Sequence, residues 1–166
     1  MNKKITFFLL WLSLSTAVSY FLDLLDVPGI ERWLLPNIFI VLIATFVHGP
    51  VVGSLVGIFG SVTSFLAVGS PEATTLTAMI FESLAVGVLT SFLYRKIKIL
   101  YPVILLDFLV SKSVFAIITL LSKAEIRIFA DSFHGLVGLG LQLIFVPMVY
   151  KVLVKSSEVE NSKGGI

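Results

Sequence analysis

The sequence predicts an all-α integral membrane protein with six transmembrane helices and both termini cytoplasmic. Three observations carry that expectation: an apolar surplus too large for one small core, six apolar runs bounded by turns or charges, and a one-sided distribution of basic residues. Of 166 residues, 57% are hydrophobic and 13% charged, against roughly 45–50% and about 25% in a soluble domain. A chain this short exposes a large share of its surface however it folds, so the surplus faces lipid. At about 20 residues per span the length allows at most about seven spans. The expected organisation is one membrane domain over residues 1–155, followed by a polar, disordered cytoplasmic tail over residues 156–166.

The first span is Ile5–Leu25, closed by Asp23, Asp26 and the turn pair Pro28-Gly29. Lys3 and Lys4 ahead of it and Ala17-Val18-Ser19 within it imitate a secretion signal. The apolar run is longer than the roughly 7–15 residues of a signal's central region and is followed by further spans, so a retained helix is expected. The second span, Leu34–Val47, is short and is introduced by Leu35-Pro36-Asn37. Gly49-Pro50 breaks it, and the third span, Val51–Val68, follows at once. A polar loop, Gly69–Glu72, leads to the fourth span, Thr77–Tyr94, which ends in Arg95-Lys96-Ile97-Lys98. The fifth span is Leu100–Leu121, and the charged loop Ser122–Asp131 precedes the sixth, His134–Val154.

Direction follows from the basic residues. With six spans, Lys3, Lys4, Arg95, Lys96, Lys98, Lys151, Lys155 and Lys163 share one side, while Arg32, Lys123 and Arg127 share the other. Cytoplasmic loops carry the excess of Lys and Arg, so both ends of the chain lie inside, in a multi-pass plasma-membrane protein. The net charge of +2 is too small, and too spread over span ends, for a nucleic-acid surface.

Small residues mark two helix faces. Gly49, Gly53, Gly57 and Ser61 recur every fourth residue with Gly60 beside them, a spacing that lets another backbone approach closely. Internal helix packing is the expected use. Ser13 and Ala17 repeat the spacing on the first span, where an outward face could meet another subunit.

Ionisable residues within spans point to an interior. Charge at the bilayer centre costs about 2.5–3.5 kcal/mol on insertion scales, so such residues face the bundle or a wet cavity. Glu82 falls about 7–8 Å below the outer end of its span and Lys112 about 13–14 Å below the same surface. Gln142 lies about 12 Å below the boundary residue His134, and Asn37 opens the second span from outside. Glu82 and Lys112 either pair with each other or contact a ligand; a pair that opens on binding does both. Asp107 is deeper, and its five-residue separation from Lys112 suits a helical pair poorly, so it is expected to be neutral or bonded to another helix. Trp33, Tyr94, Tyr101 and Tyr150 fit an interfacial belt. Phe81, Phe108 and Phe115 are ring-stacking candidates, with lipid contact as the ordinary alternative.

Several chemistries have no residues to perform them. With no cysteine in the chain, disulfides, thiolate metal sites and a thiol nucleophile are excluded. No phosphate loop, nucleophile elbow or His-Glu-x-x-His helix occurs, and His48 and His134 fall at opposite membrane faces. No catalytic residue, metal or cofactor is expected; a transport role would need its energy from a partner. The competing classes are a small structural protein of cell-envelope assembly and, second, a membrane-embedded enzyme or a stand-alone membrane facilitator.

One stretch, His48-Gly49-Pro50-Val51-Val52-Gly53-Ser54-Leu55-Val56-Gly57, resembles the third-span opening of substrate-binding S components of energy-coupling factor (ECF) vitamin transporters. The run Ala78–Gly87, with Phe81 and Glu82, followed by Leu93-Tyr94-Arg95-Lys96, is similar to the fourth span of the pyridoxine and hydroxymethylpyrimidine subgroup. His134-Gly135-Leu136-Val137-Gly138 and Leu141-Gln142-Leu143-Ile144-Phe145-Val146-Pro147 resemble that subgroup's last helix. The likeness extends from about Leu34 to Leu153. It implies six helices and a vitamin or vitamin-precursor pocket near the outer face, for which Glu82, Lys112, Gln142, His134, Asn37 and Phe81 are the candidates. It also implies docking through Ser13 and Ala17 on a transmembrane coupling subunit that sits on two ATPase subunits. The chain departs from the pattern twice: Lys112 stands near a position where the subgroup has Arg, and Ser70-Pro71-Glu72-Ala73 replaces a Met-Pro-Pro type run.

Overall fold

A computed structural model describes residues 3–27, 30, 34–69, 73–121 and 128–163, with side chains described for all of these but 74, 128–134 and 155–163. The described residues form six helices and no strand: α1 Lys3–Leu24, α2 Pro36–His48, α3 Pro50–Val68, α4 Ala73–Ile97, α5 Leu100–Leu121 and α6 Ile128–Lys163. Five of them contain a stretch long and apolar enough to cross a membrane: Lys3–Leu24, Pro50–Val68, Thr75–Ile97, Leu100–Leu121 and Gly135–Val154. The protein is therefore an all-helical membrane protein. The loop basic residues Arg32, Lys123 and Arg127, together with Pro28, Gly29, Trp33 and Ser70–Glu72, lie outside the described residues.

The exception is α2. Its 13 residues rise only about 20 Å, some two thirds of the roughly 30 Å hydrocarbon layer. Its sequence explains its place. Ile38 and every residue from Ile40 to Thr45 are buried, so the helix is apolar and enclosed on all sides, as a central helix must be. α1, α3, α4 and α6 pack around it. A helix sheathed by protein need not match the lipid thickness.

Contacts between named residues fix the directions of the helices. Phe7 on α1 stacks on His48 at 3.9 Å, while Ser15 reaches Asn37 at the other end of α2, so α1 and α2 are antiparallel. Glu82 meets Lys112 and Thr90 meets Asp107, which makes α4 and α5 antiparallel. The bundle thus has a Pro36 end, where α3 and α5 finish and α4 begins, and a His48 end that carries Lys3.

The small-residue stripe of α3 is the packing device the spacing predicts. A methyl group added at Gly53 would overlap the Thr45 side chain of α2, and one at Gly57 would come within 2.8 Å of Ser83 Cβ on α4. One at Gly60 would lie 2.7 Å from Asn37 Oδ1. Gly49 differs: nothing lies near it, and its φ of +87° serves the turn between α2 and α3, where a side chain would be strained. On α1 the buried residues Trp11, Ser15, Ser19 and Leu22 form one narrow seam, and Ser19 and Thr16 bond Ser64 and Thr63 of α3.

Three boundaries differ from the expectation by four residues or more. α4 starts four residues before Thr77, α6 starts six residues before His134, and the backbone beyond Ser156 stays helical to Lys163 instead of being disordered. In each case a nucleated helix runs on past the expected boundary, because propagation fixes one residue per hydrogen bond gained. The Glu and Lys of the tail are good helix formers.

Candidate functional site

Two polar clusters lie inside the Pro36 half of the bundle, and they differ in how completely their groups are bonded. The first is built on Asn37, one residue into α2 and 7% exposed. Its Oδ1 accepts from Ser15 Oγ of α1 at 3.0 Å. Its Nδ2 donates to Ser61 Oγ of α3 at 2.9 Å and to Ser83 Oγ of α4 at 3.1 Å. Both amide hydrogens are used. Asn37 joins four helices, and the bare backbone of Gly60 makes room for it. It leaves no amide donor to offer a ligand.

The second cluster is the ion pair of Glu82 and Lys112. Lys112 Nζ lies 2.7 Å from Glu82 Oε1, with the carboxylate side chain 2% and the lysine side chain 16% exposed. The helix boundaries account for the meeting. Glu82 is nine residues from Ala73 and Lys112 nine from Leu121, and both termini lie at the Pro36 end. Each side chain is therefore about 13–14 Å along its helix from that end. The sequence-based start at Thr77 had set Glu82 some 6 Å too shallow. The ammonium satisfies Oε1 at the distance of a charge-assisted contact. It carries three hydrogens, and no second acceptor takes one of them among the described residues.

The walls of this site come from α5 and α6. Phe108 and Phe115 flank Lys112, with Nζ 6.0 and 5.4 Å from their ring centroids, near the outer limit of a cation–π contact. A methyl at Gly135 would come within 3.2 Å of Lys112 Cε, 3.4 Å of Leu35 Cδ1 and 3.4 Å of Phe108. The missing side chain of Gly135 is thus what lets α6 close over the lysine stem. A mostly buried ammonium, a buried carboxylate and two rings can hold a small, flat molecule that carries both a donor and an acceptor.

The remaining candidates fall elsewhere. Gln142 is 1% exposed but stands two turns beyond Gly135 along α6, about 10 Å deeper. It makes no hydrogen bond to Glu82 or Lys112, and its Nε2 has no partner. The three residues, expected at compatible depths, do not share one level: Gln142 lies deeper than the pair. Phe81 is 46% exposed on the outer surface of α4, in the position a lipid-facing ring takes. The side chain of His134 lies outside the described residues. Ser13 and Ala17 are both exposed on α1, off the seam that packs on the bundle. Asp107 was expected to be neutral or bonded to another helix, and α4 supplies such a bond. Thr90 of α4 bonds Asp107 of α5. The Tyr94 and Tyr150 hydroxyls lie 3.2 Å apart with Phe46 edge-on to both rings, a part-buried trio where an interfacial belt was expected.

No family model, no curated protein and no solved structure matches the chain. Among the described residues no group of His, Cys, Asp and Glu is placed to hold a metal ion.

Proposed function

We propose that the chain is the substrate-capturing subunit, the S component, of an ECF-type importer of a vitamin or vitamin precursor. In this reading six helices cross the plasma membrane with both termini inside, and the Pro36 end faces out. The observation that carries it is the Glu82–Lys112 pair: opposite charges some 13–14 Å from the outer end, flanked by Phe108 and Phe115, with ammonium hydrogens left over for a ligand. Buried polar groups that a ligand can satisfy give selectivity, because a mismatched ligand leaves them unpaired. The eight-to-three basic asymmetry supports the orientation. The exposure of Ser13 and Ala17 on α1 supports a docking face for a coupling subunit that sits on two ATPases.

Native mass spectrometry of the purified protein against a vitamin panel tests the reading. One small heterocycle should remain bound to the wild-type protein and be lost from Lys112→Met. Ala17→Trp should retain the ligand and fail in uptake by the assembled transporter. A protein that binds no member of the panel and recruits no ATPase partner would overturn the assignment.

A further inference from the structure

A second acid lies beneath the ion pair and takes no part in the proposed capture. Asp107 on α5 is 1% exposed. Thr90 Oγ1 on α4 contacts both Asp107 Oδ2 and the Val86 carbonyl oxygen, the latter at 2.7 Å. A carbonyl can only accept, and a hydroxyl carries one hydrogen. With that hydrogen on the Val86 carbonyl, the contact between Thr90 and Asp107 needs a hydrogen supplied by the carboxyl group. Were the carboxyl ionised, Thr90 would have to turn a lone pair on one of two close acceptors.

The charges around Asp107 lead to the same result. A carboxylate withdrawn from water without a partner is costly enough that the group takes up a proton instead. Lys112, on the same helix, stands about 140° around the axis from Asp107 and is held at Glu82. α4 and α6 are the helices packed most closely on α5. The ionisable and charged groups of α4 are Glu82, in the ion pair, Tyr94, bonded to Tyr150, and Arg95 and Lys96, exposed in the last turn. Those among the described side chains of α6 are Tyr150 and the exposed Lys151. Among the described residues no cation pairs with Asp107.

We infer that Asp107 holds its proton in the folded protein and donates it to Thr90, forming a neutral relay from the carboxyl to the hydroxyl to the Val86 carbonyl. Asp107 Oδ1 is then an acceptor without a partner, and Gln142 Nε2 is a buried donor without one. Measured from the Glu82–Lys112–Gly135 level, Thr90, Asp107 and Gln142 lie about 12, 7–8 and 10 Å deeper, within one layer. The bundle interior therefore stacks a charged site above an uncharged one.

Infrared spectroscopy of the full-length protein in bilayers, with ¹³C at the aspartate carboxyls, tests this without altering the chain. The sequence has four aspartates: Asp23, Asp26, Asp107 and Asp131. The labelled protein at neutral pH should show an isotope-shifted band of a protonated acid, one that Asp107→Asn removes. If that variant does not fold, the triple variant Asp23→Asn, Asp26→Asn, Asp131→Asn should keep the band in full. Thr90→Val should shift it by removing the hydroxyl partner. Labelled protein with only ionised carboxylate bands, or an acid band lost in the triple variant, would overturn the inference.

Discussion

The Asn37 cluster and the Glu82–Lys112 pair are both buried, polar and joined across helices, yet they are finished to different degrees. Asn37 spends its two hydrogens and its carbonyl on three serines, and nothing in it awaits a partner. The ion pair meets at 2.7 Å, and its three-hydrogen ammonium has no second acceptor among the described residues. Burial alone does not distinguish a structural polar group from a receptive one; bonding capacity left over does. A satisfied network rigidifies the core, whereas an unfinished one is high in energy until something completes it.

The largest effect should come from separating the helices that make the first cluster. Gly57→Leu drives a side chain into Ser83, whose Cβ and backbone would lie at 2.8 and 3.1 Å from the new Cβ. Overpacking commonly costs about 1–3 kcal/mol and more where backbone must move, so no stable folded species is expected in detergent by size exclusion and thermal unfolding. Gly140→Ala is the control. Nothing lies within 4 Å of its added methyl, and replacing a mid-helix glycine should raise stability by about 0.5–1 kcal/mol. A folded, stable Gly57→Leu protein would mean that the α3–α4 contact is not close-packed.

Next in size is the ion pair itself. Glu82→Gln and Lys112→Met each remove a charge-assisted contact worth about 1.5–3 kcal/mol, or roughly 10- to 150-fold in ligand affinity. Because the two charges also face each other in the empty protein, the double variant should lose less than the sum. Isothermal titration with the vitamin found by mass spectrometry reads all three. Unchanged affinity in both single variants would make the pair a structural strut like Asn37.

Asn37→Ala should show the reverse pattern. Hydrogen bonds between membrane helices average about 0.6 kcal/mol, so three of them amount to about 2 kcal/mol of stability, measured by denaturation in mixed micelles. Ligand affinity of the folded fraction should not change. A variant of normal stability that binds poorly would return Asn37 to the ligand site.

These contrasts show which features could be read from the sequence. Apolar runs, breakers and the glycine spacing announced the helices and the α3 stripe, because lipid imposes a period and a length. The meeting of Glu82 and Lys112 was visible as an alternative, although the depth given to Glu82 was too small: the apolar pattern begins at Thr77, while the helix begins at Ala73. The Asn37 hub was hidden because hydrogen-bond partners are a matter of rotation and register. Ser61 counts in the sequence only as a small residue of the α3 stripe, and Ser83 only as part of the run Ala78–Gly87. The enclosed position of α2 showed only as its shortness. Gln142 was set with the ion pair by counting from His134, whereas α6 starts six residues earlier and passes Lys112 at Gly135. The Asp107–Thr90 contact was foreseen only as a bond to some other helix.

Phe81 gives the smallest effect. It is next to Glu82 in sequence, and a flat ligand could in principle stack on it. One residue along a helix turns the side chain by about 100°, however, and the two exposures record that turn: Glu82 is 2% exposed and Phe81 46%. Phe108 and Phe115 are the rings that flank the ammonium. Truncating a surface side chain away from any such feature usually changes free energy by no more than about 0.5 kcal/mol, so Phe81→Ala should leave ligand affinity within about twofold of wild type. Phe108→Ala, assayed alongside, should weaken it more, since it strips one wall from the site. A tenfold loss from Phe81→Ala with Phe108→Ala silent would move the ligand to the outer face of α4 and detach it from the ion pair.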